Sequence, residues 1–287
     1  LEAARGRHGK TRDRDRASES GGGLSRAAVA ELYATIAVLR SLGYIAADDT
    51  LSVKGRLLRA LFHPAGIVMA DLAVNGALEG LTAAELAEVA SWFTFDDDRP
   101  LRNSNQLPQR LVAARREVYA SLRRVATVEY EEGLALTTGI VDSFHGVALN
   151  WSRGFTLSGL LRRIDLAEGD LLVTLNQTID LLQQLQGAVG QALDAGDLWR
   201  DADPETRRGR YLIEARARLG RLRPMLDTAW RAMLRGSVAQ SRAIPSMTTP
   251  AAEVPDLPAL PMAEDEESDV ARSDRTDDLA AAPGGEP

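Results

Sequence analysis

Apolar residues recur along most of the chain with the 3.6-residue period of helices, and seldom with the alternation of strands. Ser25 can cap a helix whose stripe is Val29, Leu32, Ile36 and Leu39, a 3,4,3 spacing that predicts one buried face. Leu42-Gly43-Tyr44 ends it, and Ile45 to Val53 reads as a short extended or turn segment. Leu57, Leu58 and Leu61 predict a second helix, stopped at His63-Pro64, and Leu72 to Leu78 a further helical stretch. Thr82 and Glu85 have the spacing of a capping box, so a helix is predicted from there to about Phe95.

Asp96-Asp97-Asp98-Arg99-Pro100 breaks the pattern, and a polar loop follows to Pro108. Gln109 to Tyr130 predicts a long amphipathic helix with Leu111, Val112, Val118, Leu122, Val125 and Val128 on its apolar side. Its basic set, Arg110, Arg115, Arg116, Arg123 and Arg124, is partly offset by Glu117 and Glu129. Helices are also predicted over about Ile140–Trp151 and Thr156–Ile164. Glu168-Gly169-Asp170 opens the clearest helix, with Leu172, Leu175, Ile179, Leu182, Val189 and Leu193 as its stripe and acids at the positive helix start. The last helix is predicted from about Pro204 to Val238, with Gly220 and Pro224 as bending points. The fold class is therefore all-α, a multi-helix bundle with at most one short β pair near Tyr44–Val53.

Composition agrees. Of 287 residues 45% are hydrophobic but only 5% aromatic, and Ala, Leu and Arg dominate, which suits helices better than a β-sandwich. The net charge of −7 is unevenly spread: residues 1–26 carry +3, residues 27–245 carry −1 and residues 246–287 carry −9. Residues 244–287 hold most of the prolines and the run Glu264-Asp265-Glu266-Glu267, so this stretch is expected to be a disordered acidic tail. Residues 1–23 are expected to be a charged flexible linker, leaving 24–243 as the helical domain. No apolar run reaches the ~20 residues of a membrane span, so no membrane partner is expected. The absence of cysteine excludes disulfides and thiolate metal sites and fits a reducing compartment, with the cytoplasm as the expected location.

Catalytic motifs are missing. Gly9-Lys10-Thr11 imitates the end of a phosphate-binding loop, but only Leu1-Glu2-Ala3 precedes Ala4, where a buried strand is needed, and Arg12-Asp13-Arg14-Asp15-Arg16 follows with no apolar face. His8, His63 and His145 are scattered, so neither a catalytic site nor a metal site is expected. The acidic residues fall on helical phases and loops that read as exposed.

Four ordered segments resemble a known family. They are Leu39-Arg40-Ser41-Leu42-Gly43-Tyr44-Ile45 with Leu51-Ser52-Val53-Lys54-Gly55-Arg56; Leu81 to Ala87 through Ser91-Trp92-Phe93; Asn150-Trp151-Ser152-Arg153-Gly154-Phe155 with Glu168-Gly169-Asp170-Leu171 and Asp180 to Leu185; and Leu234 to Val238. Together they look like the C-terminal (DSHCT) domain of superkiller- and HelY-type ATP-dependent RNA helicases of superfamily II.

The resemblance implies upstream RecA-like motor domains that bind ATP and magnesium, so this chain itself would need no cofactor. The first residue, Leu1, is read as the mark of a fragment. The partners implied are those motor domains and single-stranded RNA, with DNA open as an alternative. The resemblance also implies a ratchet helix beside the strand, and the helix opened by Glu168 corresponds to it. Asn176, Gln177, Asp180 and Gln184 are its strand-contact candidates, and Lys54 and Arg56 could reach phosphate or brace the motor core. Trp151, Gly154, Glu168 and Gly169 are assigned to packing or to the motor interface. Relatives place Arg near Val173 and at Asn176 or Gln177, and this chain has none there. The alternatives are a helical adaptor and a winged-helix-like regulator.

Overall fold

The computed structural model describes residues 25–95 and 101–235. The expected linker, the Gly-Lys-Thr segment, the Asp96–Pro100 breaker and the acidic tail lie outside the described residues. Among the described residues the fold is all-α, with nine α-helices and no sheet. They are α1 (Arg26–Ser41), α2 (Val53–Leu58), α3 (Gly66–Asn75), α4 (Ala83–Ser91), α5 (Gln109–Glu131), α6 (Val147–Ser152), α7 (Leu157–Leu161), α8 (Glu168–Asp194) and α9 (Arg207–Met233). The expected short β pair is a single antiparallel bridge, Ile45 with Leu51, and Asn103 bridges Ile164 in the same way.

The predicted caps hold. The Ser25 side chain accepts from the Ala28 N–H, and Thr82 with Glu85 closes a full capping box. Several segments differ from the prediction, beginning with α2, which spans Val53–Leu58 and ends before the Leu61 predicted within it. α3 starts at Gly66, immediately after His63-Pro64, because the His63 carbonyl and Nδ1 accept from the Gly66 and Ala65 N–H groups and launch a new helix. α6 starts only at Val147, because Gly146 takes a left-handed φ of 76° that breaks any helix arriving from Ile140. α1 forms as expected but buries only Val38, and Leu32 in its predicted stripe is 50% exposed.

α8 and α9 pack antiparallel: Gln186 Nε2 donates to Asp227 Oδ1 at 3.1 Å, and Arg223 lies against Gly190. α4 sits where α6, α8 and α9 meet, and α2 packs on α8. α3 is buried all round, as a helix without a polar face must be, and it carries one buried charge, Asp71. Trp92, Tyr44, Phe144 and Met69 are among the largest buried side chains, and Phe95 stacks on Phe144 with ring centroids 4.8 Å apart.

The acids expected on exposed phases include four that are buried: Asp71, Glu85, Glu88 and Glu129. Each is buried because it answers specific donors. Glu129 ties the turn after α5 by accepting from the Leu136 and Thr137 N–H groups, both at 3.1 Å. Glu88 on α4 accepts from the Gly146 and Leu149 N–H groups at 2.5 and 2.9 Å and from Trp92 Nε1 at 2.8 Å. A carboxylate from one helix thus caps the start of another. A Cβ on Gly146 would meet the Asn105 Cβ at 2.7 Å, so glycine is required there by space as well as by φ. Burial pushes the Glu88 carboxyl up, and the three donors pull it back only in part.

Replacing Glu88 by Ala leaves these three donors unpaired in a dry interior. Urea denaturation is expected to show a loss of about 3 kcal/mol or more. A variant within 0.5 kcal/mol of the wild type would contradict this account of α6.

Candidate nucleic-acid interface

α8 is buried on a broad arc through Leu171, Leu175, Ile179, Leu182, Leu185 and Val189. Leu172 and Leu193, predicted in that stripe, are only partly buried. Thr174 and Thr178 also turn inward; Thr178 Oγ1 is 2.8 Å from Thr94 Oγ1, and both hydroxyls bond the carbonyl one turn back. The opposite side stays open along Val173, Gln177, Asp180, Gln183, Gly187 and Gln191.

The four strand-contact candidates fall within about 100° of helix surface at 3.6 residues per turn. Gln177 and Asp180 are exposed, and Asn176 and Gln184 are half-buried. Gln184 Oε1 accepts from the Phe62 N–H at 2.8 Å, which fixes the chain after α2 beside this face. α8 carries four acids, Glu168, Asp170, Asp180 and Asp194, and no Lys or Arg. Glu168 and Gly169 face solvent, and nothing lies within 4 Å of where a Gly169 Cβ would stand.

Lys54 and Arg56 are drawn into internal ion pairs. Lys54 Nζ donates to Asp71 Oδ1 at 2.6 Å, and only 18% of its side chain is exposed. Asp71 also accepts from Ser121 Oγ at 2.7 Å, Arg124 at 2.6 Å and Asn75 at 2.7 Å. Arg56 pairs with Asp197 in the loop after α8. Gly55 between them admits no side chain, since a Cβ there would overlap the Tyr44 carbonyl oxygen. Lys-Gly-Arg therefore clamps α2 to α3 on one side and to the α8–α9 loop on the other.

Trp151 is buried and donates from Nε1 to the Met233 carbonyl at 2.9 Å. The Arg235 guanidinium lies over its ring at 4.1 Å and bonds the Trp151 and Phe155 carbonyls. Gly154 closes α6 with a φ of 105°, a conformation that lets the Phe155 N–H reach back to the Asn150 carbonyl at 3.1 Å. The Trp-x-x-Gly segment thus seats the end of α9.

Much of the basic set on α5 is also committed. Arg124 holds Asp71, Arg110 bonds the Gly80 carbonyl and the Arg115 guanidinium lies over Trp92. The largest cation supply is on α9, which carries eight Arg against Glu214 and Asp227. The sequence signal for it was the density of Arg itself. Two open cavities, of about 740 Å³ beside Arg102, Arg162 and Arg163 and about 510 Å³ beside Arg218, Arg221 and Glu79, include no α8 residue. Among the described residues no group of three or more His, Asp or Glu is placed to hold a metal ion, and no helix is long and apolar enough to cross a membrane.

Fold and face together define an all-helical domain that presents one long polar helix surface. The chain belongs to the DSHCT (NUC185) domain family, whose pattern matches residues 48–197, just over half of it. The match bears out the family read from the four ordered segments. The chain is similar to ATP-dependent RNA helicase mtr4 of Schizosaccharomyces pombe, 26% identical over 163 residues that cover 55% of this chain and 14% of that protein. It is similar to Exosome RNA helicase MTR4 of Homo sapiens, 24% identical over 163 residues, 54% of this chain and 15% of that protein. It is also similar to Probable helicase HelY of Mycobacterium leprae, 29% identical over 190 residues, 58% of this chain and 20% of that protein. The chain thus spans a fifth or less of the length of these relatives, and it matches their C-terminal part.

The Asp71 cluster generates a pH prediction. Burial pushes its carboxyl up, but the bonds from Lys54, Ser121 and Arg124 outweigh that and hold it below the ordinary carboxylate range. A carboxyl lowered by folding stabilises above its unfolded value of ~3.9, and that stability is lost as pH falls through the folded value. Asp71→Asn is expected to cost about 2–4 kcal/mol at neutral pH. It is also expected to flatten the stability curve below pH ~4, read by urea titration at several pH values. An unchanged acid limb would refute the assignment.

Proposed function

We propose that this chain serves as the helical domain of an ATP-dependent RNA helicase and guides a single RNA strand along the open face of α8. ATP and magnesium belong, in this reading, to RecA-like motor domains in the same protein, and the chain's own residues supply none of that chemistry. The observation that carries the proposal is the open polar row of Gln177, Asp180, Gln183 and Gln191 on a helix packed along its other sides by α2, α4 and α9. Amides and a carboxylate can hydrogen-bond bases in any register, which suits a strand that must slide.

Phosphate attraction comes from the flanks rather than from α8. Arg223, half exposed, stands on the α9 side at Gly190, 3.9 Å from Asp194. The exposed Arg59 stands on the α2 side, one turn after Arg56, which Asp197 holds. Binding by so few cations is expected to be weak and steeply salt-dependent. The winged-helix alternative needs a basic recognition helix, whereas α1 spends Arg40 on Asp49 at 2.7 Å and holds only Arg26 otherwise. The partly uncovered side of α1, with Tyr33 68% exposed, suits a protein neighbour, and we assign it to the motor core.

Gln177→Arg places a cation in the middle of the open row. Fluorescence anisotropy with a single-stranded RNA oligomer is expected to show binding tightened about threefold. The log–log salt slope is expected to steepen by about 0.7 for one added phosphate contact. An unchanged affinity and slope would remove α8 from the strand path.

A further inference from the structure

Phe62 is the most exposed large hydrophobic side chain among the described residues, at 85%. Gln184 of α8 holds its backbone N–H at 2.8 Å. Arg59, three residues back, is exposed, whereas Arg56, one turn before that, is held by Asp197 of the α8–α9 loop. An exposed aromatic ring on a corner that also carries an exposed cation and meets an amide is a combination that single-strand binders use: the ring takes a base and the cation takes its phosphate.

The backbone around Phe62 is fixed. Leu61, on one side, is buried and donates its N–H to the Leu58 carbonyl at 3.0 Å. On the other side Pro64 restricts the chain, and the His63 carbonyl accepts from the Gly66 N–H at 2.7 Å. The ring therefore projects from a rigid corner, so stacking on it costs little ordering of the main chain. The corner borders the open face of α8 on the side opposite α9, because α2 leads into it and Gln184 bonds it.

From these contacts we infer that Phe62 is a base-stacking platform at the rim of the strand path, with Arg59 beside it for the phosphate of the stacked nucleotide. The site rests on the strand-guiding reading of α8 and adds to it a residue outside that helix. A single-stranded nucleic acid is favoured over a protein partner because the corner is bonded to Gln184 on the polar face of α8 and carries the exposed cation Arg59.

The test compares Phe62→Ala and Phe62→Trp with the unaltered 287-residue chain in fluorescence anisotropy at low salt. The probes are a 12-mer of oligoadenylate RNA and a 12-mer of the same backbone without bases. Phe62→Ala is expected to weaken oligoadenylate binding about tenfold and to leave the abasic oligomer unchanged, while Phe62→Trp keeps or tightens oligoadenylate binding. Equal affinity of Phe62→Ala and the unaltered chain for oligoadenylate overturns the inference, and is the result expected of a ring that serves a protein contact. Equal weakening for both oligomers also overturns it, because stacking needs a base. Gln177→Arg, measured in parallel on both oligomers, separates the two proposals. Tightening by Gln177→Arg with no effect of Phe62→Ala rejects the platform alone. Selective loss in Phe62→Ala with no effect of Gln177→Arg rejects α8 guidance and keeps the platform.

Discussion

Glu88 lies on α4 with no solvent exposure, and its two oxygens receive the Gly146 and Leu149 N–H groups and the Trp92 indole. The α6 start has no side-chain cap of its own, so this carboxylate stands in for one. α4 is in turn packed by α6, α8 and α9, so the contact that seats α6 also fixes the layer on which the two long helices rest. Trp151 on α6 then receives the end of α9 through Met233 and Arg235. The order of dependence runs from one buried acid, through a short helix, to the placement of the longest elements.

A second buried acid does the same work on the other side. Asp71 gathers Lys54 from α2, Ser121 and Arg124 from α5, and Asn75 from its own helix. Such a cluster holds only while every member is paired, since an ion left alone in the interior is costly. The cost of that arrangement is chemical: Lys54 and Arg56, cations that read as phosphate ligands, are held by Asp71 and Asp197. The family segments Lys-Gly-Arg and Trp-x-x-Gly thus build the scaffold, and the open row of α8 is what the scaffold presents.

Much of the fold was legible in the pattern of the chain. The long stripes over Gln109–Glu131 and Glu168–Asp194, the capping box at Thr82 and the scarcity of strands all follow from local spacing. α1 was legible as a helix but not as a half-uncovered one, because periodicity marks an apolar face and cannot say whether anything covers it. The α5 stripe contains Ser121 and Glu129, which period counting treats as polar outsiders, since only their distant partners make them interior. Helical phase marked the outward side of α8, where Gln177 and Asp180 are exposed and Asn176 and Gln184 half-buried, whereas Phe62 had no local signal beyond a hydrophobic residue before His63-Pro64.

The sequence by itself therefore determined the helices, some of their ends, and the family, because caps, periods and ordered motifs act over a few residues. Tertiary structure decided which charges are spent and which are offered. Asp71 meets Arg124 across 53 residues, Glu88 meets Leu149 across 61 and Phe62 meets Gln184 across 122. A charge or a ring looks the same in the sequence whether it is solvated or enclosed, and only the partner brought to it by folding sets its free energy and its use.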